Sequence, residues 1–169
     1  MPRTLWHGAY FVFGLWLSLV LLVPLTAPWA YAADPDLARM EGLLVGDVNT
    51  FRRDNHLIEL QRRLDLDAVA RAHSEDMALR SYLSHTSPEG LNWVARLERA
   101  GITGFSMAAE NVGRTNKPGP NAEILSGWIH SPAHHQNLVA RPFNATGVGI
   151  ARAADGSYVY TQLYLSFPR

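Results

Sequence analysis

The chain contains no cysteine. No disulfide can staple it, and no lipid-modified cysteine can hold it at a membrane. Charge of one sign is not in excess either: fifteen Lys and Arg stand against fifteen Asp and Glu, a formal net charge of +0. That excludes a nucleic-acid or acidic-membrane binder whose affinity rests on charge. Internal repeats and low-complexity stretches are absent as well. What is present is one strong contrast in composition. Met1 to Gly8 holds Arg3 and no acid, Ala9 to Leu25 is almost unbroken apolar sequence, and Ala30-Tyr31-Ala32 offers a small-x-small site before Ala33-Asp34. A basic start, an apolar core and a small-residue exit make residues 1–32 a secretory signal peptide. Pro24 and Pro28 near its end favour cleavage. Because Ala9 to Leu25 nearly reaches spanning length, a retained, uncleaved anchor is the alternative, and the only membrane attachment expected.

The remaining chain, 33–41 as linker and helix start and 42–169 as one domain, is long enough to fold by burial alone. Leu37, Met40, Leu44, Val48 and Phe51 recur at helical spacing, and Arg52-Arg53-Asp54-Asn55 closes that first helix. His56 to Leu60 reads as an extended connection. Asp65 is the expected N-cap of a second helix with the stripe Leu66, Val69, Ala70, His73 and Met77. Leu91 to Ala100 fits a third helix with Gly101 at its stop. Part of Gly104 to Lys117 reads as a strand. Asn121 is the expected cap of a fourth helix running through Trp128, and Ser131-Pro132 starts a last short one. Thr146 to Arg152 and Tyr158 to Phe167 flank an Asp155-Gly156 turn and form a hairpin. Helices first and a hairpin last predict an α+β domain with an antiparallel sheet.

Three islands carry the chemistry: Ser84 to Gly90, Ala109-Glu110-Asn111, and Ser131 to Leu138. They offer His85, Glu110 and His134 to one cleft. Two imidazoles and a carboxylate can hold zinc or another divalent cation with a position open to water. No histidine pair one turn apart on a single helix supports that metal set. A hydrogen-bonded Glu–His network that stitches loops together explains the same residues. A metal-free acid–base pair of Glu110 and His85 lacks a nucleophile, because Ser84, Ser87 and Ser131 read as turn and cap residues. His73 sits on an apolar stripe and reads as a satisfied core histidine. Asn111 reads as pinning its loop through the backbone. His135 is expected to face outward beside an inward His134; His56 and His130 read as surface residues. Trp93 and Trp128 read as packing, and the Tyr158, Tyr160 and Tyr164 row as a sheet face under helices.

These islands, together with Val48-Asn49, Arg52, Ala72 to Ala78, Trp128, Gly147-Val148-Gly149 and Thr161-Gln162, resemble the CAP superfamily (the SCP domain), in its bacterial secreted branch. The likeness spans nearly all of Gly42 to Phe167. It implies a three-layer α–β–α sandwich with a small antiparallel sheet and a surface cleft. In animal and plant members that cleft holds two His and two Glu. His85 takes the first His position and Glu110 the first Glu position. Ser131 and Val159 stand where the second Glu and second His would be, and the bacterial branch places His134 in the Ser-Pro-x-His turn. With the leader of residues 1–32, the expectation is an exported protein of the cell envelope or medium. The leading function is non-catalytic binding of a lipid, glycan or protein through the His/Glu cleft, with no nucleic acid. The alternatives are a metal-dependent hydrolase or peptidase using His85, Glu110 and His134, and a structural envelope protein with a vestigial cleft.

Overall fold

The computed structural model describes residues 34–168, in which the first helix, α1, spans Pro35–Asp54. The expected leader, residues 1–32, lies outside the described residues, and its cleavage with it. Asp34 accepts from the Asp36 amide at 2.9 Å and Pro35 occupies the first helical position, where a missing N–H costs nothing. Leu44, Val45 and Val48 are buried along its inner face. At its C-terminal end Arg52 is fully buried. Its guanidinium donates to the carbonyls of Ile58 (2.9 Å), Leu138 (2.8 Å) and Ala140 (3.2 Å), tying the following connection and a distant helix to α1.

The next elements are β1 (Gln61–Arg62), α2 (Leu64–Leu79) and α3 (Trp93–Arg99). Asp65 is not the cap of α2. Arg63 stands at that position, and Asp65 instead accepts from Arg63 and from the Leu66 amide. The third helix is capped by Asn92, which accepts from the Ala95 amide at 2.9 Å. It stops in a Schellman motif, with Ile102 N–H donating to Leu97 O, Gly101 N–H to Glu98 O, and Gly101 at φ +74°. Then follow β2 (Met107–Thr115), α4 (Pro120–His130), α5 (Pro132–Val139), β3 (Ala145–Arg152) and β4 (Tyr158–Ser166). Asn121 does not cap α4. Left-handed Gly119 holds that place, freeing Asn121 to donate to Met40 O at 2.8 Å and to accept from the Tyr160 hydroxyl at 3.0 Å.

The sheet order is β1-β3-β4-β2. The expected antiparallel pairs β3–β4 and β2–β4 are joined by one parallel pair, β1–β3, so the sheet is mixed. Those two strands are far apart in sequence, and no hairpin turn dictates their direction. Helices cover both faces, giving the α–β–α sandwich. Tyr160 and Tyr164 of β4 face α1, α4 and α5; Val159, Leu163 and Leu165 alternate to the α2 side. A Cβ on Gly147 would lie 2.4 Å from Leu66, and one on Gly149 only 1.9 Å from the Arg71 amide, so α2 rests directly on the β3 backbone.

Side chains close part of each sheet edge. Beyond the two-residue β1, the Val148 and Ile150 amides of β3 donate to Asp67 (2.8 Å) and Glu41 (3.1 Å). Arg62 and Arg71 balance these buried acids, at 2.8 Å to Asp67 and 2.8 and 2.5 Å to Glu41. Burial nevertheless pushes the Asp67 carboxyl above its usual range, against the opposing pull of the Val148 amide and Arg62. At the other edge the β2 carbonyls of Glu110 and Val112 point away from β4. They accept from Asn137 (3.3 Å) and the Trp128 indole (3.2 Å). An unpaired buried strand group costs about 1–3 kcal/mol, which explains the polar residues in these positions. It also places α4 and α5 against β2, where the candidate site lies.

Candidate functional site at the edge of β2

Glu110 and Asn111 are consecutive on a strand, so their side chains leave on opposite faces. On the α2–α3 face the Glu110 carboxylate, with none of its side chain exposed, receives Nδ1–H of His85 on Oε1 at 2.9 Å. Its other oxygen receives Arg96 Nη2 at 2.5 Å. Arg96 Nη1 also donates to the carbonyls of His85 (3.1 Å) and Leu91 (2.8 Å). One guanidinium thus fixes the carboxylate and two carbonyls of the loop that carries His85. The bond to Glu110 sets the His85 tautomer and leaves Nε2 free, on a side chain 44% exposed. Trp93 lies edge-on to that ring at 5.8 Å. Behind the loop, fully buried His73 donates from Nε2 to Ser84 O at 2.9 Å, and its pKa is lowered by burial and then by Arg96.

On the α5 face, Asn111 donates to the His134 carbonyl and the Tyr164 hydroxyl, both at 3.2 Å, and accepts from Asn137 at 2.8 Å. The second histidine is therefore held from the same strand, on the opposite face. Its Nδ1 meets Ser131 Oγ at 2.9 Å. Burial lowers the His134 pKa, with a smaller contribution in the same direction from His85. Beside His134 opens a cavity of about 430 Å³. Val112, Ile124 and Leu83 give it apolar walls; Ser131, Arg114 and Lys117 give it polar ones. Among the described residues, no helix is long and apolar enough to cross a membrane.

The family model described as "Cysteine-rich secretory protein family" matches residues 45–164. The chain belongs to this family, the CAP superfamily. Among its relatives, the uncharacterized membrane protein YlbC of Bacillus subtilis is 33% identical over 117 residues, covering 69% of this chain and 32% of YlbC. An extracellular SCP-domain protein of Bacillus anthracis is 30% identical with a TM-score of 0.68, over 79% of this chain and 44% of that one. An outer surface protein of Borrelia burgdorferi shares the fold at 16% identity, with a TM-score of 0.69 over 77% of this chain and 94% of that one. The chain thus spans about a third of YlbC and less than half of the Bacillus anthracis protein.

Within the CAP frame the two departures have different consequences. Val159, which the resemblance sets at the second His position, is fully buried and packs with Met77, Val112 and Ala151 as a core residue. Ser131, at the second Glu position, lines the open cavity and bonds His134 rather than capping α5. The structure does not bring the expected metal set of His85, Glu110 and His134 together as ligands. Both Glu110 oxygens are engaged, one by a guanidinium, and among the described residues no three His, Cys, Asp or Glu are grouped to hold a metal ion. His135 does not face outward; it packs edge-on against Phe51 at 5.9 Å. Arg96 escaped the reading of the sequence because it lies among Arg99 and Glu98 on a short helix that looks solvated. Its one sequence signal was its position three residues after Trp93, on the helix face turned toward the islands.

Proposed function

We propose that this CAP-domain protein is exported and acts at the cell envelope or in the medium as a non-catalytic binding module. Its ligand, an envelope lipid, glycan or protein, enters the cavity beside His134 at the β2 edge. The observation that carries this reading is the state of the polar groups. Glu110 and the Nη groups of Arg96 are engaged with each other and with the His85 loop, and Asn111 and Asn137 with each other and the backbone, while the open space lies further along β2, beside His134 and Ser131. A carboxylate that itself acts as general base or metal ligand must reach water, substrate or metal; Glu110 reaches His85 and Arg96 instead. The extracellular relative and the leader-like first 32 residues support export. The test is cosedimentation of the exported protein with purified cell-wall sacculi and with phosphatidylglycerol vesicles. Retention by one of them that is lost in Leu83→Asp and His134→Ala, both still folded, supports the reading. Retention by neither removes the lipid and glycan ligands and leaves the protein one; retention indifferent to both substitutions contradicts the reading and favours a structural protein with a vestigial cleft.

A further inference from the structure

The cavity beside His134 has features that single out a ligand chemistry. Its register on β2 comes first. Residues 107, 109, 111, 113 and 115 pair with even-numbered residues of β4 that turn away from β3, so Ala108, Glu110, Val112 and Arg114 point their backbone groups outward. Asn137 and Trp128 take the carbonyls of Glu110 and Val112. Arg114, the next outward residue, lines the cavity, and its amide and carbonyl have no partner among the described residues. An open stretch of edge strand is a template for an extended chain.

The second feature is Gly127, in the last turn of α4 and on the cavity wall. A glycine inside a helix costs about 0.5–1 kcal/mol relative to alanine. No packing requires it, since a Cβ there would meet no atom within 4 Å. Its effect is to leave that stretch of the cavity wall without a side chain. Gly113, by contrast, is crowded, with Ile124 at 2.9 Å and Trp128 at 3.3 Å from the position of a Cβ.

Charge is the third. The lining carries Arg114 and Lys117 against one carboxylate, Glu123. Arg114 donates from Nε to Ser157 (2.7 Å) and from Nη2 to Asp155 (2.9 Å), keeping Nη1 uncommitted; Lys117 reaches Glu123 at 3.0 Å from an exposed position. Apolar walls from Val112, Ile124 and exposed Leu83 lie alongside.

We infer that this cavity takes the free carboxyl end of an extended peptide with an apolar last residue. The side chain would rest on Val112, Ile124 and Leu83, the carboxylate would face Arg114 and Lys117, and the backbone would pair with the outward groups of Arg114 beside Gly127. A fatty acid would satisfy the walls and the cations, but it has no use for the unpaired strand groups. The inference rests on the binding reading above and specifies its ligand.

The probe is acetyl-Ala-Ala-Leu with a free carboxylate, compared with its C-terminal amide and with dodecanoate, titrated into the protein and followed by amide NMR shifts. The expected result is saturable binding of the acid, with shifts centred on Gly113 to Thr115 and Gly127. The amide should bind about tenfold more weakly or worse, since a charge-assisted contact is lost. Gly127→Leu, whose Cβ meets no atom within 4 Å, should abolish binding at an unchanged or higher melting temperature; exposed Lys117→Glu should weaken it. Equal affinity for acid and amide, dodecanoate alone binding, or indifference to Gly127→Leu would each overturn the inference. If sacculi or vesicles still retain the protein through Leu83 and His134 while the peptide fails, the binding reading stands and only the ligand assignment falls.

Discussion

Arg96 donates to Oε2 of Glu110 at 2.5 Å, on the opposite side of the carboxylate from His85. The same guanidinium holds the backbone of the His85 loop at two carbonyls, so this pair carries structural weight beyond a single ion pair. Removing one partner of a buried pair leaves the other uncompensated. Glu110→Ala is expected to cost about 3 kcal/mol, seen as a drop in melting temperature of roughly 10 °C. Combining it with Arg96→Met should cost less than the sum of the two single substitutions, because the second removes the orphaned charge. Strict additivity in that double-mutant cycle would show that the two groups act independently.

Stability should also depend on pH through His73. Burial, aided by Arg96, lowers its pKa in the folded state, while an unfolded histidine takes its proton near 6.5. The unfolded state therefore binds the extra proton first. The contribution to stability is complete above about pH 6.5 and is lost as pH falls below it. His134, lowered by burial and by His85, acts in the same direction. Melting curves between about pH 7 and 5 should show this loss, and His73→Gln, whose amide can still donate to Ser84 O, should flatten it. A pH slope unchanged in His73→Gln would assign the effect to other groups.

Two glycines should respond in opposite ways to the same substitution. Gly149→Ala places a methyl 1.9 Å from the Arg71 amide, where only backbone could yield, and should prevent native folding. Gly127→Ala meets no atom within 4 Å on a helix and should stabilise by about 0.5–1 kcal/mol. Thermal unfolding of the two proteins checks both signs; a destabilised Gly127→Ala would show that its Cβ direction is occupied.

Much of this arrangement is legible in the sequence, for a physical reason in each case. The hairpin is written as alternation around Asp155-Gly156, and the last short helix as Ser131-Pro132. The spacing of the three islands identifies the family and, with it, the His85–Glu110 contact. Legibility fails where a polar residue lies on a buried face. Glu41 and Asp67 look like solvated helix charges, yet they close the β3 edge. Their need arises only because β1 is two residues long, a fact of tertiary structure. The cap positions of α2 and α4 failed for a related reason: Asp65 and Asn121 had other partners to satisfy once the chain was folded. Ser131 marks a helix start correctly, but its hydroxyl serves His134, which local capping preference does not foresee.

The central claim is that His134 borders a binding cavity at the β2 edge, that the His85–Glu110 pair braces the same strand from its other face, and that the three do not form a metal centre. Calorimetric titration of the purified exported protein with zinc, alongside elemental analysis, tests it most directly. The account predicts no saturable binding at micromolar zinc and no metal retained through purification, with His85→Ala and His134→Ala indistinguishable from the parent. One equivalent of zinc bound per chain, lost in both substitutions, would contradict it and restore the metal-hydrolase reading.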